Sequence, residues 1–257
     1  MAEQPVTEIV DAFPTETIDL PSRGVFYPED SPLRSGQIEL RYMTAKHEDI
    51  LTSQNLIQKG VVLDRLIDAL IATKGVKAAD LFLGDLNAVM VAARILGYGK
   101  DYEVSLECPS CGDTVEQIVN LSDLETENAP ESSEPSEFTL VLPLSKAEIT
   151  LKLLTRGDEL AIDKELKALK KISSDVESES TSRLKAMIKS VNGDTSKGKI
   201  WAFVDSLLVK DARFLREQYR TKVPDINFNV SVDCTCGIGQ TVRLPIGVNF
   251  FWPDARV

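Results

Sequence analysis

The chain of 257 residues carries 40 acidic against 29 basic side chains, a net charge of −11, with 43% hydrophobic residues. That apolar content excludes wholesale disorder, and the acidic balance gives nonspecific phosphate binding no help, so nucleic acid is an unlikely partner. No apolar run approaches the roughly 20 residues that span a bilayer and no apolar segment follows a basic start, so the expectation is a soluble protein made inside a cell, with no membrane span.

Residues 1–18 are polar and acidic, with Pro5 and Pro14, and read as a flexible N-terminal arm. Leu20-Pro21-Ser22-Arg23-Gly24-Val25-Phe26-Tyr27-Pro28 follows, a stretch whose proline and glycine fix a bend. Its aromatics, Phe26 and Tyr27, either plug the core or contact a neighbour. Periodicity predicts helices from about Ala45 to Asn55, Val61 to Ala72 and Leu81 to Leu96. The last shows Leu83, Leu86, Val89, Met90 and Ala93 on one stripe and is stopped by Gly97-Tyr98-Gly99.

Tyr102 to Glu107 and Gly112 to Leu121 then alternate apolar and polar residues, as half-buried strands do, around Cys108-Pro109-Ser110-Cys111. Asp123 to Ser136, acidic with Pro130 and Pro135, reads as a linker. Beyond it, helices are expected near Arg156 to Ile172, Ser182 to Val191 and Ile200 to Tyr219. A second hairpin, Phe228 to Asp233 and Gly237 to Leu244, carries Cys234-Thr235-Cys236. The end, Gly247-Val248-Asn249-Phe250-Phe251-Trp252-Pro253, is aromatic: exposed, Phe250, Phe251 and Trp252 would anchor an interface; folded back, they would close the core.

The second half repeats the first. Asp85, Arg94 and Cys108 recur as Asp211, Arg220 and Cys234 at a constant shift of 126 (211 − 85, 220 − 94, 234 − 108). Ile38 to Thr44 parallels Ile149 to Thr155 at a shift of 111 (149 − 38), so the second half needs an insertion, for which Ser173 to Ser182 is a candidate. The predicted fold is α+β, with two related helical modules each ending in a cysteine-bearing β-hairpin. The parts are an arm over 1–18, a first module over 19–122, an acidic linker over 123–136 and a second module over 137–257. Glu48-Asp49 and Asp158-Glu159 follow Thr44 and Thr155 at capping distance and read as helix caps.

Two thiol pairs on glycine-ended turns are two halves of a tetrahedral zinc site, so Cys108, Cys111, Cys234 and Cys236 are predicted to hold one structural Zn2+ and to join the hairpins in a zinc-ribbon-like centre. Disulfides are the alternative, although they rarely persist in a reducing compartment. A thioredoxin-like C-x-x-C would open a helix, whereas Val115, Ile118 and Leu121 point to a returning strand, so a thiol oxidoreductase is disfavoured. Four thiolates close the metal shell, which excludes a hydrolytic zinc with its open position.

Catalytic patterns are otherwise missing. There is no Gly-x-x-x-x-Gly-Lys-Ser/Thr loop and no Gly-x-Ser-x-Gly elbow, and the one histidine, His47, sits early in a predicted helix. Lys164, Lys167, Lys170 and Lys171 fall on neighbouring turns and read as a solvated helix face; a nucleic-acid-binding zinc protein is the alternative function, disfavoured by the acidic balance.

Leu20 to Pro28, Arg41-Tyr42-Met43-Thr44-Ala45-Lys46-His47-Glu48-Asp49-Ile50-Leu51, Leu83-Gly84-Asp85-Leu86-Asn87, Ala93 to Gly99, Tyr102 and Cys108 to Cys111 together resemble the baseplate hub and hub-assembly proteins of T-even-type contractile-tailed bacteriophages. The likeness covers roughly 18–125 with specific motifs and the remainder more loosely. It implies a non-enzymatic virion or assembly component of the tail baseplate hub. The partners it implies are other baseplate and hub proteins, with tape-measure or central spike proteins as further candidates. The implied location is the host cytoplasm during assembly and then the virion tail baseplate. It supplies no catalytic residue, and the zinc reading rests on the cysteines alone.

Overall fold

The computed structural model describes residues 14–131, 137–172, 179–237 and 239–251. The chain opens with strand β1 (Thr15–Asp19), which pairs antiparallel with β2 (Gln37–Arg41), Ile18 facing Ile38. The described part of the expected arm, Pro14 to Ile18, is therefore largely strand. Helices α1 (Ala45–Leu51), α2 (Gln54–Gln58), α3 (Val62–Leu70) and α4 (Leu83–Tyr98) follow. The hairpin β3 (Asp101–Glu107) and β4 (Thr114–Asn120) closes the first half, with Leu106 opposite Val115.

The expected linker is tied down where it is described. β5 (Thr126–Glu127) pairs with β9 (Asp225–Ile226), the Asn128 side chain donates to the carbonyls of Arg220 and Val223, and the Arg23 guanidinium donates to Pro130 O at 3.2 Å. Its residues 132–136 lie outside the described part.

The second half starts with β6 (Phe138–Val141) and β7 (Glu148–Leu151), then α5 (Arg156–Ile172) and α6 (Glu179–Met187). The proposed insertion lies outside the described residues as far as residue 178; its end, Glu179 to Ser182, opens α6. The helix expected to reach Val191 stops at Met187, and Ile188–Val191 becomes strand β8, completing a β6-β7-β8 sheet. Its buried Ile188 and Val191 suit a strand, since β-branched side chains pack well on a pleated surface. The helix expected over 200–219 is two, α7 (Lys197–Asp205) and α8 (Val209–Lys222), followed by β9 and the hairpin β10 (Asn229–Val232) and β11 (Gln240–Arg243). Ser206 makes the break: its hydroxyl donates to the carbonyls of Ala202 and Phe203, satisfying the helix end there.

Two apolar cores result, and they do not follow the sequence halves. Leu142, Ile149, Leu151, Leu184, Ile200 and Leu215 are among the residues of one. The other holds Ile38, Leu40, Leu66, Leu70 and Val89 of the first half together with Phe228, Val232, Leu244, Phe250 and Phe251 of the second. The second cysteine hairpin and the aromatic end therefore pack into the core of the first half.

That packing places Tyr27, Phe250 and Phe251 in the core, the other of the two alternatives open to the aromatics. Phe250 and Phe251 are 0% exposed, with the Phe250 ring 5.1 Å from Tyr102, and the buried Arg94 donates to Phe250 O at 3.0 Å. Tyr27 is buried too, its hydroxyl donating to Asp85 and accepting from the Phe82 amide. Phe26 is half-buried, edge-on to Phe82 at 6.4 Å. Tyr27, Phe250 and Phe251 leave little ring area for a partner to cover, since their apolar surface is already removed from water. Trp252 lies outside the described residues.

Candidate metal centre

Each cysteine pair is set by a strand that ends and a glycine that turns. β3 delivers Cys108 to the tip of its hairpin, where Cys108 N donates to Asp113 O and Gly112 N donates back to Cys108 O, both at 2.8 Å. On the other hairpin Gly237 N donates to Cys234 O at 3.1 Å. Gly112 and Gly237 take φ of 78° and 74°, the left-handed region where a side chain is strained, and a Cβ would meet nothing within 4 Å at either. The glycines therefore serve the backbone turn, not close packing.

The hairpins lie side by side because Leu106 and Val232, the inward residues before each first cysteine, are both buried in the same core. The Gln117 side chain adds a hydrogen bond across them to Ser231 O at 3.0 Å. All four sulfurs consequently lie within 4.8 Å of one another, with Cys111 Sγ to Cys234 Sγ at 3.5 Å and Cys108 Sγ to Cys236 Sγ at 3.8 Å. Four sulfurs at about 2.3 Å from one ion would stand about 3.8 Å apart at tetrahedral corners. No disulfide joins these cysteines, since the separations far exceed the ~2.05 Å of an S–S bond.

Burial grades the set: Cys108 is fully buried, Cys234 half-buried, and Cys111 and Cys236 are exposed. The backbone amides of Cys111 and Ser110 point at the Cys108 sulfur and lower its pKa to about 7. Cys111 goes the other way. The Asp113 amide acts to lower it, but Cys234, burial and Cys108 together push it up to about 12. Crowding resists multiple negative charges here, and a cation among the sulfurs removes that resistance by drawing charge from each. The donor set fits a soft divalent ion in a closed four-sulfur shell, which has no position left for a water nucleophile.

The two predicted caps turn out differently. Thr44 N donates to His47 Nδ1 at 2.9 Å, so His47, not Glu48, closes the first turn of α1. Burial and the nearby Arg41 charge hold its pKa below the ordinary histidine value. At α5 the cap is Asp158, which accepts from Thr155 N at 3.1 Å, while Glu159 pairs with Arg183. Lys164 and Lys167 are exposed, and the side chains of Lys170 and Lys171 lie outside the described residues.

Asp85 and Asp211, paired by the repeat, share a duty that their order in the chain does not reveal. Each is buried in the first turn of a long helix and accepts from the Leu-Pro turn of its own half. Asp85 accepts from Ser22 N at 2.9 Å and Ser22 Oγ at 2.6 Å, and Asp211 accepts from the amides of Leu144 and Ser145, both at 2.9 Å. The constant shift of 126 was their signal. Arg94 and Arg220 do not correspond in role: Arg94 is buried and Arg220 exposed.

A family model described as T4 bacteriophage base plate protein matches residues 24–252. The chain belongs to that family. For a T4-type baseplate protein the implied place is the virion tail baseplate, in contact with other phage baseplate proteins, and a structural role is what such a family suggests. Among curated proteins and among solved structures nothing matches this baseplate chain. Among its described residues no helix is long and apolar enough to cross a membrane.

Proposed function

We propose that this baseplate protein is a non-enzymatic connector of the tail hub, cross-braced by one structural zinc held by Cys108, Cys111, Cys234 and Cys236. The observation that carries the reading is the convergence of four thiols, from hairpins 126 residues apart, within 4.8 Å of one another. Bound there, zinc supplies no reaction; it fixes the two hairpin tips against each other. The strand after Cys111 supports this over thiol exchange, because a C-x-x-C oxidoreductase needs the second cysteine inside a helix start. The net charge of −11 supports protein rather than nucleic-acid partners. On this reading the partners are other baseplate and hub proteins, with tape-measure or central spike proteins as candidates, met first in the host cytoplasm and kept in the virion.

Metal analysis of the purified full chain tests it, with about one zinc per chain expected from a single four-ligand site. Replacing Cys108 by Ser is expected to release the metal, lower the melting temperature and reduce the yield of assembled tails. Protein that is metal-free as purified, or a Cys108→Ser variant with full zinc content, would remove the brace from the account.

A further inference from the structure

The two halves meet through a short backbone contact. Phe82, the extended residue before α4, forms an antiparallel bridge with Thr155, the residue before α5. Leu83 N donates to Leu154 O at 3.3 Å, and Arg156 N donates to Leu81 O at 2.8 Å. Leu83 packs on the second core, and Arg156 grips Asp64 of α3 through two bonds of 2.7 and 3.0 Å. A helix start from one half thus docks on the strand-to-helix loop of the other.

Both surfaces exist twice in the chain. Leu208 stands before α8 with φ −64° and ψ 138°, against φ −62° and ψ 153° for Phe82 before α4. Leu208 O accepts from Ala212 N as Phe82 O accepts from Leu86 N, and Asp211 holds its Leu-Pro turn as Asp85 does. The receiving loop is duplicated as well: Met43-Thr44-Ala45 follows β2 and opens α1 just as Leu154-Thr155-Arg156 follows β7 and opens α5.

One copy of each surface is consumed in the internal joint, and the other is open. Leu208 is 52% exposed and Val209 81%, and Leu144, whose amide donates to Asp211 in the first turn of α8, is 48% exposed. Ala45 is exposed. Among the described residues, Leu207 O, Val209 N, Met43 O and Ala45 N have no counterparts of the joint's backbone bonds.

We propose that the exposed start of α8 in one copy docks on the Met43–Ala45 loop of a second copy, so that chains of this protein associate head to tail by repeating their own internal joint. The inference rests on packing and is independent of the metal reading. Because the two surfaces differ, the contact is heterologous: it leaves one free end of each kind and closes only if the rotation between copies forms a ring. Ala45 stands where Arg156 does, so the grip on Asp64 has no counterpart and the contact between copies is weaker than the joint within one. It forms at high concentration, or where an assembly already holds copies close together.

Sedimentation of the full chain with two surface variants, Val209→Asp and Ala45→Asp, tests this. Wild type is expected to gain mass with concentration and to pass beyond two chains. Each variant alone is expected to remain a single chain, having lost one of its two ends. An equimolar mixture is expected to form a dimer of twice the chain mass and nothing larger, because each variant supplies the end that the other lacks. Both positions are exposed, and aspartate suits the first helical turn at residue 45, so unchanged melting temperatures are expected; if Val209→Asp melts early, Val209→Ser takes its place. A wild-type chain that stays single up to ~1 mM, the effective concentration of tethered modules, overturns the proposal. So does a mixture that fails to dimerise, or a wild-type dimer that Ala45→Asp leaves intact.

Discussion

Asp85 and Asp211 occupy equivalent places, yet their surroundings shift the two pKa values in opposite directions. Burial is the largest influence on Asp85 and raises its pKa above the ordinary aspartate value despite hydrogen bonds from Ser22 and Tyr27. Burial also acts to raise Asp211, but the amides of Leu144 and Ser145, with Lys146 nearby, hold it below that value. For Asp85 the folded state favours the protonated form, so its contribution to stability is complete below about 3.9, the unfolded value, and is lost as pH rises through the folded value. For Asp211 the contribution is complete above the same value and is lost as pH falls through the folded one. Denaturant unfolding across pH is expected to show this: the stability of wild type relative to Asp85→Asn falls as pH rises above ~4, whereas its advantage over Asp211→Asn is full near neutrality and shrinks below ~4. Slopes of the same sign would mean that the balance of burial against hydrogen bonding is reversed at one of the two carboxyls. Truncation of Asp85 to Ala strands buried donors, at about 1–3 kcal/mol for each. The repeat of these residues is visible in the sequence, but their duty is not, because their partners, Ser22 and Leu144, lie 63 and 67 residues away. The same blindness to geometry gave Glu48 the cap that His47 fills, since both side chains stand in the first turn and only the ring nitrogen meets Thr44 N.

At the level of elements, most helices and both cysteine hairpins are legible because their periodicity survives burial. Where apolar residues run together, as in Ser206-Leu207-Leu208, period alone cannot show a break, and the hydroxyl of Ser206 decides it. Glycine spacing is equally silent about contact. Gly84 lies inside α4, where a Cβ would stand 1.9 Å from Pro224 O at the entry to β9. Gly198, inside α7, has nothing within 4 Å of that position and no positive φ. The two glycines therefore predict opposite results. Gly84→Ala forces the helix off β9 and is expected to cost at least about 1–3 kcal/mol, as overpacking does. Gly198→Ala relieves only the intrinsic penalty of glycine in a helix and is expected to stabilise by up to about 1 kcal/mol. Thermal melts of the two variants check the pair, and equal shifts would mean that α4 and β9 are not in contact as described.

Across the whole molecule, the apolar cores do not follow the order of the sequence halves. A repeat follows the order of residues along the chain, whereas burial is set by where the second hairpin is carried after β9, which pairs with β5 in the segment between the halves. That pairing delivers Ile226, Phe228, Val232 and Leu244 to the first core, and the chain then turns Phe250 and Phe251 beneath Arg94. A fragment ending at residue 131 would expose the apolar surface those residues cover and would leave the buried Arg94 without its Phe250 carbonyl partner. Each lost phenylalanine is worth about 3–5 kcal/mol by the measure of core truncation, and two already match the whole stability of a typical domain, about 5–15 kcal/mol. The fragment is therefore expected to be unfolded, with no near-ultraviolet circular dichroism and no dispersed amide resonances. The full chain carrying Phe250→Ala is expected to fold with a lowered melting temperature. A well-folded fragment would show that the first half completes its core alone, and that the second hairpin is laid on it rather than built into it.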